Sequence, residues 1–169
     1  MRTPELIKFL RFALKEIIQQ EDLINPTGFI VTREGVGVVS LAFKSTEQGP
    51  RTTEEGRVSI AGQQDALKHF GSIIRQSTSK EAALVLDVIT KKYKVEPNQT
   101  PTLDSIPVSE RDSAILMLHV KVRDKDLDFN VYMQPYVKAM EGYAFADDLV
   151  TADQIDEAIT KPIKEGFLD

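Results

Sequence analysis

The chain contains no cysteine, no tryptophan and only 2 histidines among its 169 residues. The absence of cysteine excludes disulfides, thiolate nucleophiles, cysteine-based zinc sites and iron–sulfur clusters. Two histidines are too few for a histidine-rich metal site, and neither stands in the spacing of a zinc-protease helix. We therefore expect neither a metal nor another cofactor. A cysteine-free chain also agrees with a reducing compartment, so we expect a cytoplasmic protein.

Long apolar runs and an excess of positive charge are also missing. No uninterrupted apolar run approaches the roughly 18 residues that a transmembrane helix needs, so we expect no membrane span. The formal net charge is −5, whereas a nucleic-acid-binding protein usually presents a basic face. The acidity of the chain therefore disfavours nucleic acid as a partner.

Motifs that carry chemistry are absent as well. The segment 35–37 lacks the third glycine and the following helix of a dinucleotide-binding loop, and neither a Walker lysine motif nor a G-x-S-x-G elbow occurs. Residues Asp124, Asp126 and Asp128 resemble the start of a calcium loop. However, Phe129 stands where that loop needs glycine, and Pro135 stands where it needs a bidentate glutamate. These absences favour a non-catalytic protein over an enzyme, and no stretch carries the motif set of a known family.

The patterns that are present predict one globular α+β domain over residues 1–169. Helical spacing predicts helices at residues 4–20 and 63–76 and a last helix opened by a capping box at 151–154, which Pro162 ends or kinks. Alternation and β-branched residues predict strands at 29–33, 36–43, 57–61, 82–93, 114–123 and 126–136. For residues 82–93 a helix remains the alternative to a strand. Residues 140–148 are predicted to be a connection without regular secondary structure. We expect a mostly antiparallel sheet of about five to six strands with three helices packed on it, and mobile loops near 44–56 and 95–112.

The clearest pattern is a hairpin that turns at Asp124 and Lys125. Its register sets apolar residues against each other on one face and Lys121 against Asp128 on the other. The second face is predicted to be wet, and it carries His119, Lys121, Asp128, Asn130, Tyr132 and Gln134. An alternative hypothesis makes this face a small-molecule site, in which His119 is the acid or base and Lys121, Asp128, Asn130 and Tyr132 orient the ligand.

The first helix has an apolar stripe wider than a surface helix needs. The simpler interpretation is a helix wedged between two layers, and the alternative is a helix that meets a partner. The candidate partner-binding residues are Phe9 and Phe12 with the basic stripe Lys8, Arg11 and Lys15, although such a stripe is usually just the solvated side. In the second helix, His69 is predicted to be a half-buried packing residue.

No pattern in the sequence identifies a function. The favoured hypothesis is a small non-catalytic protein–protein interaction or regulatory module. Its partner would be another protein or a second copy, bound through the first helix or through the sheet face around His119. The alternative is a small-molecule-binding protein or enzyme with its site on that same sheet face.

Overall fold

The structure, a computed structural model, describes residues 3–21, 24, 26–41, 64–89, 113–139, 142–152, 155 and 157–169. In chain order its elements are α1 (Glu5–Glu21), β1 (Thr27–Thr32), β2 (Gly35–Ser40), α2 (Gln64–Gln76), β3 (Glu81–Ile89), β4 (Ser113–Arg123), β5 (Asp126–Ala139), β6 (Gly142–Phe145), β7 (Val150–Ala152) and α3 (Glu157–Leu168). Seven strands form the sheet in the order β2-β1-β3-β4-β5-β6, and β7 pairs with β5. Every strand pairing in the described part is antiparallel.

These elements confirm the predicted α+β fold with three helices. The predicted strand at 57–61 and the predicted loops near 44–56 and 95–112 lie outside the described residues. None of the described helices is both long and apolar enough to span a membrane.

The hairpin register predicted for the middle of the chain is confirmed. Lys121 stands opposite Asp128 and Leu118 opposite Val131, and Asp124 begins the turn with a left-handed φ of 56°. The ambiguous segment after α2 is a strand through Ile89. In the β1–β2 hairpin the two turn residues are 33 and 34, one position earlier than the gap at 34–35 between the two predicted strands, because Gly35 already pairs with Thr32.

One face of the sheet is covered by α2 and α3. Side chains from both helices pack on alternate residues of β1, β3, β4 and β5, and the members of this core include Leu67, Phe70, Ile74, Ile159, Ile163, Phe167, Ile30, Leu84, Leu118 and Val131.

The two helices approach backbone to backbone. A Cβ atom added at Gly71 would overlap the carbonyl oxygen of Ile163, and one added at Gly166 would overlap that of Lys68. The glycines are therefore needed for this helix pair to close.

Part of the opposite face is covered by α1. Its inner stripe packs on the other set of alternate residues, and this second core includes Leu6, Ile7, Leu10, Leu14, Ile18, Ala83, Val85, Ile115, Met117, Tyr132 and Tyr136. The helix is not wedged between two layers in the part of the chain that the structure describes, because Phe9 is 56% and Phe12 71% exposed on its outer side. The apolar residues outside the inner stripe, Phe9 and Phe12, therefore lie at the surface.

Two local predictions near the end of the chain were wrong. Residues 140–148 contain β6, and part of the capping-box segment belongs to β7, which pairs with Val131–Met133 of β5. Pairing with β5 overrides the local capping pattern, so α3 begins only at Glu157. Pro162 does not end α3, which continues to Leu168 with the proline ring buried in the core. Burial of that ring offsets part of the cost of the lost backbone hydrogen bond.

The close crossing of α2 and α3 predicts that alanine is harmful at Gly71 and Gly166. In an unconstrained helix the change would gain about 1 kcal/mol of propensity, but here it drives a methyl group into a backbone carbonyl. We expect Gly71→Ala and Gly166→Ala each to lower the free energy of unfolding in urea by about 1–3 kcal/mol. Gly37→Ala is the matched control, because its added Cβ would lie 3.7 Å from the nearest atom. Unchanged stability in both helix variants would show that the crossing is looser than described.

Candidate functional site

Both histidines differ in exposure from their predictions, since His69 was expected to be half-buried and His119 to be exposed. His69 is exposed on α2, whose buried side is limited to Leu67, Phe70, Gly71 and Ile74. His119, predicted to lie on a wet sheet face, is 1% exposed. It is buried because α1 lies over much of that face and also covers Tyr132 and Gln134. Alternation shows which residues share a face, but it does not show which element covers that face.

A carboxylate partners the buried His119. Its Nε2 lies 2.6 Å from Oε2 of Glu81, so the Glu81 carboxylate accepts a hydrogen bond from the ring. The register of β3 on β4 sets Glu81 opposite Lys121 and therefore diagonal to His119. Such a carboxylate holds the imidazole in one orientation and leaves Nδ1 as the other polar atom of the ring. Sequence reasoning missed Glu81, because no local pattern links β3 to β4 across 23 intervening positions, 90–112.

A pocket of about 440 Å³ opens beside this pair. All five residues of the predicted small-molecule site line it, together with Arg123, Phe129 and Pro4. Arg123 forms an ion pair with Asp128, and Lys121 is exposed. Pro4 brings the start of α1 to the rim, where the unpaired N–H groups of a helix favour negative charge. The pocket therefore combines a carboxylate-oriented histidine with both cationic and anionic side chains.

Arg11, a predicted partner-binding residue, is bonded within its own chain. Its Nε donates to Oε1 of Gln134 at 2.6 Å, and its Nη2 donates to the carbonyl oxygens of Ala146 and Asp147. The Gln134 side chain is fully buried, and its amide donates to the carbonyl oxygens of Pro135 and Ala146 at 2.9 Å. Arg11 thus fastens α1 to β5 and to the connection between β6 and β7.

The other two cations of the basic stripe differ from Arg11. Nζ of Lys15 lies 5.3 Å from the ring centroid of Phe145, a cation–π contact. Burial lowers the pKa of Lys15 below 10.5, the charge of Arg11 lowers it further, and Asp147 opposes both. Lys8 makes an exposed ion pair of 3.4 Å with Glu5. Of the predicted partner-binding cations, Lys8 is the one whose position leaves it most available to a partner.

An apolar surface lies on the same side of the molecule as α1. Val38 pairs with Phe29 and Val36 with Val31, and Phe29 and Val31 pack at the edge of the α1 core. Residues paired across two antiparallel strands point to the same face, so Val36 and Val38 project from the face that α1 covers elsewhere. Val38 is nevertheless 65% exposed. We call Phe29, Val31, Val36 and Val38 the β1–β2 shelf, and Phe9 and Phe12 the outer α1 face.

Val36 and Val38 of the shelf are exposed because the two faces of the sheet are covered unequally. On one face α3 lies over β5, and α2 reaches β1, where the Phe70 ring occupies the space beside Gly28. On the other face α1 lies over β4 and β6. Among the described elements, none lies over β1 and β2 on that second face. In the part of the chain that the structure describes, the sheet therefore has two helices on one face and one on the other.

Comparisons with protein-family models, with curated proteins and with solved structures find no match to this chain. The function is therefore inferred from two surfaces of the molecule itself. One is the pocket beside His119, and the other is formed by the outer α1 face and the β1–β2 shelf.

The bonding of Arg11 predicts that it contributes to stability although it belongs to a basic surface stripe. Arg11→Ala removes the donor to a buried Gln134 oxygen, and we expect the free energy of unfolding to fall by about 1–3 kcal/mol. Lys8→Ala removes only an exposed ion pair and should change it by no more than about 0.5 kcal/mol. Urea denaturation of both variants measures the difference, and equal effects would contradict the described role of Arg11.

Proposed function

We propose that this chain is a non-catalytic protein–protein interaction module, which binds its partner through the outer α1 face and the β1–β2 shelf. The observation that carries the proposal is the exposure of Phe9 and Phe12, at 56% and 71%, on the helix that borders an exposed apolar sheet surface. Single exposed apolar residues are ordinary on protein surfaces. Two phenylalanines one helical turn apart, with exposed valines on the same side of the molecule, instead form a patch of the kind found at binding sites.

The surroundings of the patch also support this function. The polar side chains of Glu5, Lys8 and Glu16 border the phenylalanines on the exposed side of α1, giving the apolar centre and polar rim of a typical interface. Burying a phenylalanine contributes roughly 1.5–3 kcal/mol, so two of them can anchor a partner. The helix that presents them is held rigidly by Arg11 and Gln134, which limits the entropy lost on binding.

A second candidate function is supported by the pocket beside His119. The 2.6 Å contact between Glu81 and His119 is the arrangement by which a carboxylate orients a histidine for proton transfer. Lys121 and the start of α1 favour an anionic ligand. This candidate is a small-molecule-binding protein or enzyme, with Asn130 and Tyr132 as orienting groups. It ranks second because the pocket lining presents no nucleophile with a base beside it.

Site-specific photocrosslinking tests the interaction module. A benzophenone amino acid replaces Phe12 in one variant and the exposed His69 of α2 in the control. We expect a discrete adduct of higher mass from position 12 and none from position 69 in an extract of the producing cells. The adduct should be lost when Phe9→Ser is added and should persist with Lys125→Ser in the β4–β5 turn. Adducts of equal yield at positions 12 and 69, or none at 12, would exclude the outer α1 face as a binding surface.

Thermal denaturation with inorganic phosphate and succinate as probes tests the pocket. A bound anion at about 100 times its dissociation constant adds about 2.7 kcal/mol to stability, which raises the melting temperature by several degrees. Lys121→Ala should abolish that rise, and Lys125→Ala, four residues further along the chain and outside the pocket, should not. The same rise in sodium chloride of equal ionic strength would show general charge screening and would remove support for a ligand site.

A further inference from the structure

We infer that the pocket beside His119 binds a small 2-hydroxycarboxylate, whose hydroxyl group lies between His119 and Tyr132 and whose carboxylate lies at Lys121. All three side chains line the same pocket of about 440 Å³. This ligand class rests on the second candidate function, in which the pocket is a small-molecule site. A ligand there leaves the outer α1 face available to a protein partner, because neither Phe9 nor Phe12 lines the pocket.

The hydroxyl group of Tyr132 is a buried polar group that has no partner among the residues that the structure describes. Tyr132 is 6% exposed, its ring packs in the core that α1 covers, and it also lines the pocket. The other buried tyrosine of that core, Tyr136, donates instead to Oδ1 of Asp87 at 2.6 Å. Buried tyrosine hydroxyl groups usually form a hydrogen bond. The Tyr132 hydroxyl therefore points to a polar group of a ligand.

His119 places a second polar atom in the same pocket. Its Nε2 donates to Glu81, which leaves Nδ1 as an acceptor in the neutral ring, and Nδ1 has no hydrogen bond to any described residue. His119 pairs with Asn130, so Tyr132 is its diagonal neighbour across the two strands, within the reach of an aromatic side chain. A ligand hydroxyl group donates and accepts at once. It therefore matches both Nδ1 and the Tyr132 hydroxyl, which a carboxylate alone does not.

Lys121 supplies the positive charge that a carboxylate needs. The strand register sets Glu81 on one side of it and Asp128 on the other. The Glu81 carboxylate lies against His119 instead, and Asp128 pairs with Arg123. Within the described ranges of the chain, no carboxylate thus pairs with Lys121. A ligand carboxylate can fill that role, whereas a ligand ammonium group would meet only carboxylates that already have partners.

The spacing of these groups favours a short ligand. Lys121 and His119 are alternate residues of β4, and their Cα atoms are therefore roughly 7 Å apart on one face. The lysine side chain is long and flexible, so it can bend toward its neighbour and leave only a short distance for the ligand to bridge. A hydroxyl group and a carboxylate on adjacent carbons, as in lactate, meet this requirement.

NMR titrations of the isotope-labelled full chain with L-lactate, D-lactate and propionate test the ligand class. Lactate and propionate differ only by the hydroxyl group. We expect the better lactate enantiomer to bind at least about 10-fold more tightly than propionate, because only lactate forms the two hydrogen bonds. Lys121→Ala should weaken both anions to a similar extent, because both carry the carboxylate. Lys125→Ala in the β4–β5 turn should change neither.

Tyr132→Phe isolates the contact with the hydroxyl group. It should lower the affinity for lactate about 10-fold and leave that for propionate unchanged. Without ligand, this variant should be at least as stable in urea as the wild type, because the deleted hydroxyl has no partner in the described part of the molecule. Tyr136→Phe is the matched control. It loses a buried hydrogen bond to Asp87, so it should be less stable and should keep the preference for lactate.

Equal affinities for lactate and propionate overturn the hydroxycarboxylate, as does a preference that survives Tyr132→Phe. If these anions still bind in a way that depends on Lys121, the second candidate function stands and only its ligand class is excluded. A loss of stability in Tyr132→Phe equal to that in Tyr136→Phe would show a structural hydroxyl and also overturn the assignment. If lactate, propionate, phosphate and succinate all fail to bind at about 50 mM, the pocket is no ligand site and both proposals fail.

Discussion

The central strands β3 and β4 carry buried side chains on both of their faces. Ala82 and Leu84 point to one side and Ala83 and Val85 to the other, and all four are inaccessible to solvent. A strand of this kind is stable only when both faces are covered. The positions of α2 and α3 on one side and of α1 on the other follow from this requirement. The same requirement buries His119, because any helix that covers Met117 also closes the space around its neighbour on that face.

Much of the fold follows from the sequence, because it depends on local patterns. The β4–β5 register is determined by apolar pairs and by Lys121 opposite Asp128, and these signals act across a two-residue turn. The covering of the second face is a long-range effect that alternation alone does not reveal. The sequence nevertheless contained a signal for this covering. Ile115 and Met117 share a face with His119, and exposing these large apolar side chains to water is unfavourable. No such signal existed for the contact of Glu81 with His119, because that contact depends on which strands become neighbours in the sheet.

The proposed function gives the two sides of α1 different roles and would account for its unusually wide apolar surface. The inner stripe completes the core, and Arg11 adds a polar attachment through a buried amide. Because these contacts hold the helix in one orientation, they also determine which residues face outward. The exposure of Phe9 and Phe12 is thus a consequence of firm anchoring on the opposite side.

The attachment of α1 also has a consequence for the synthesis of the chain. Arg11 binds the carbonyl of Asp147, which lies 136 residues further along. At a translation rate of about 5–20 residues per second, roughly 7 to 27 s pass before that acceptor is made. Throughout this interval the inner stripe of α1 has no completed sheet to cover it. A helix made early therefore reaches its final position late, and its apolar inner stripe stays exposed until the last strands have been made.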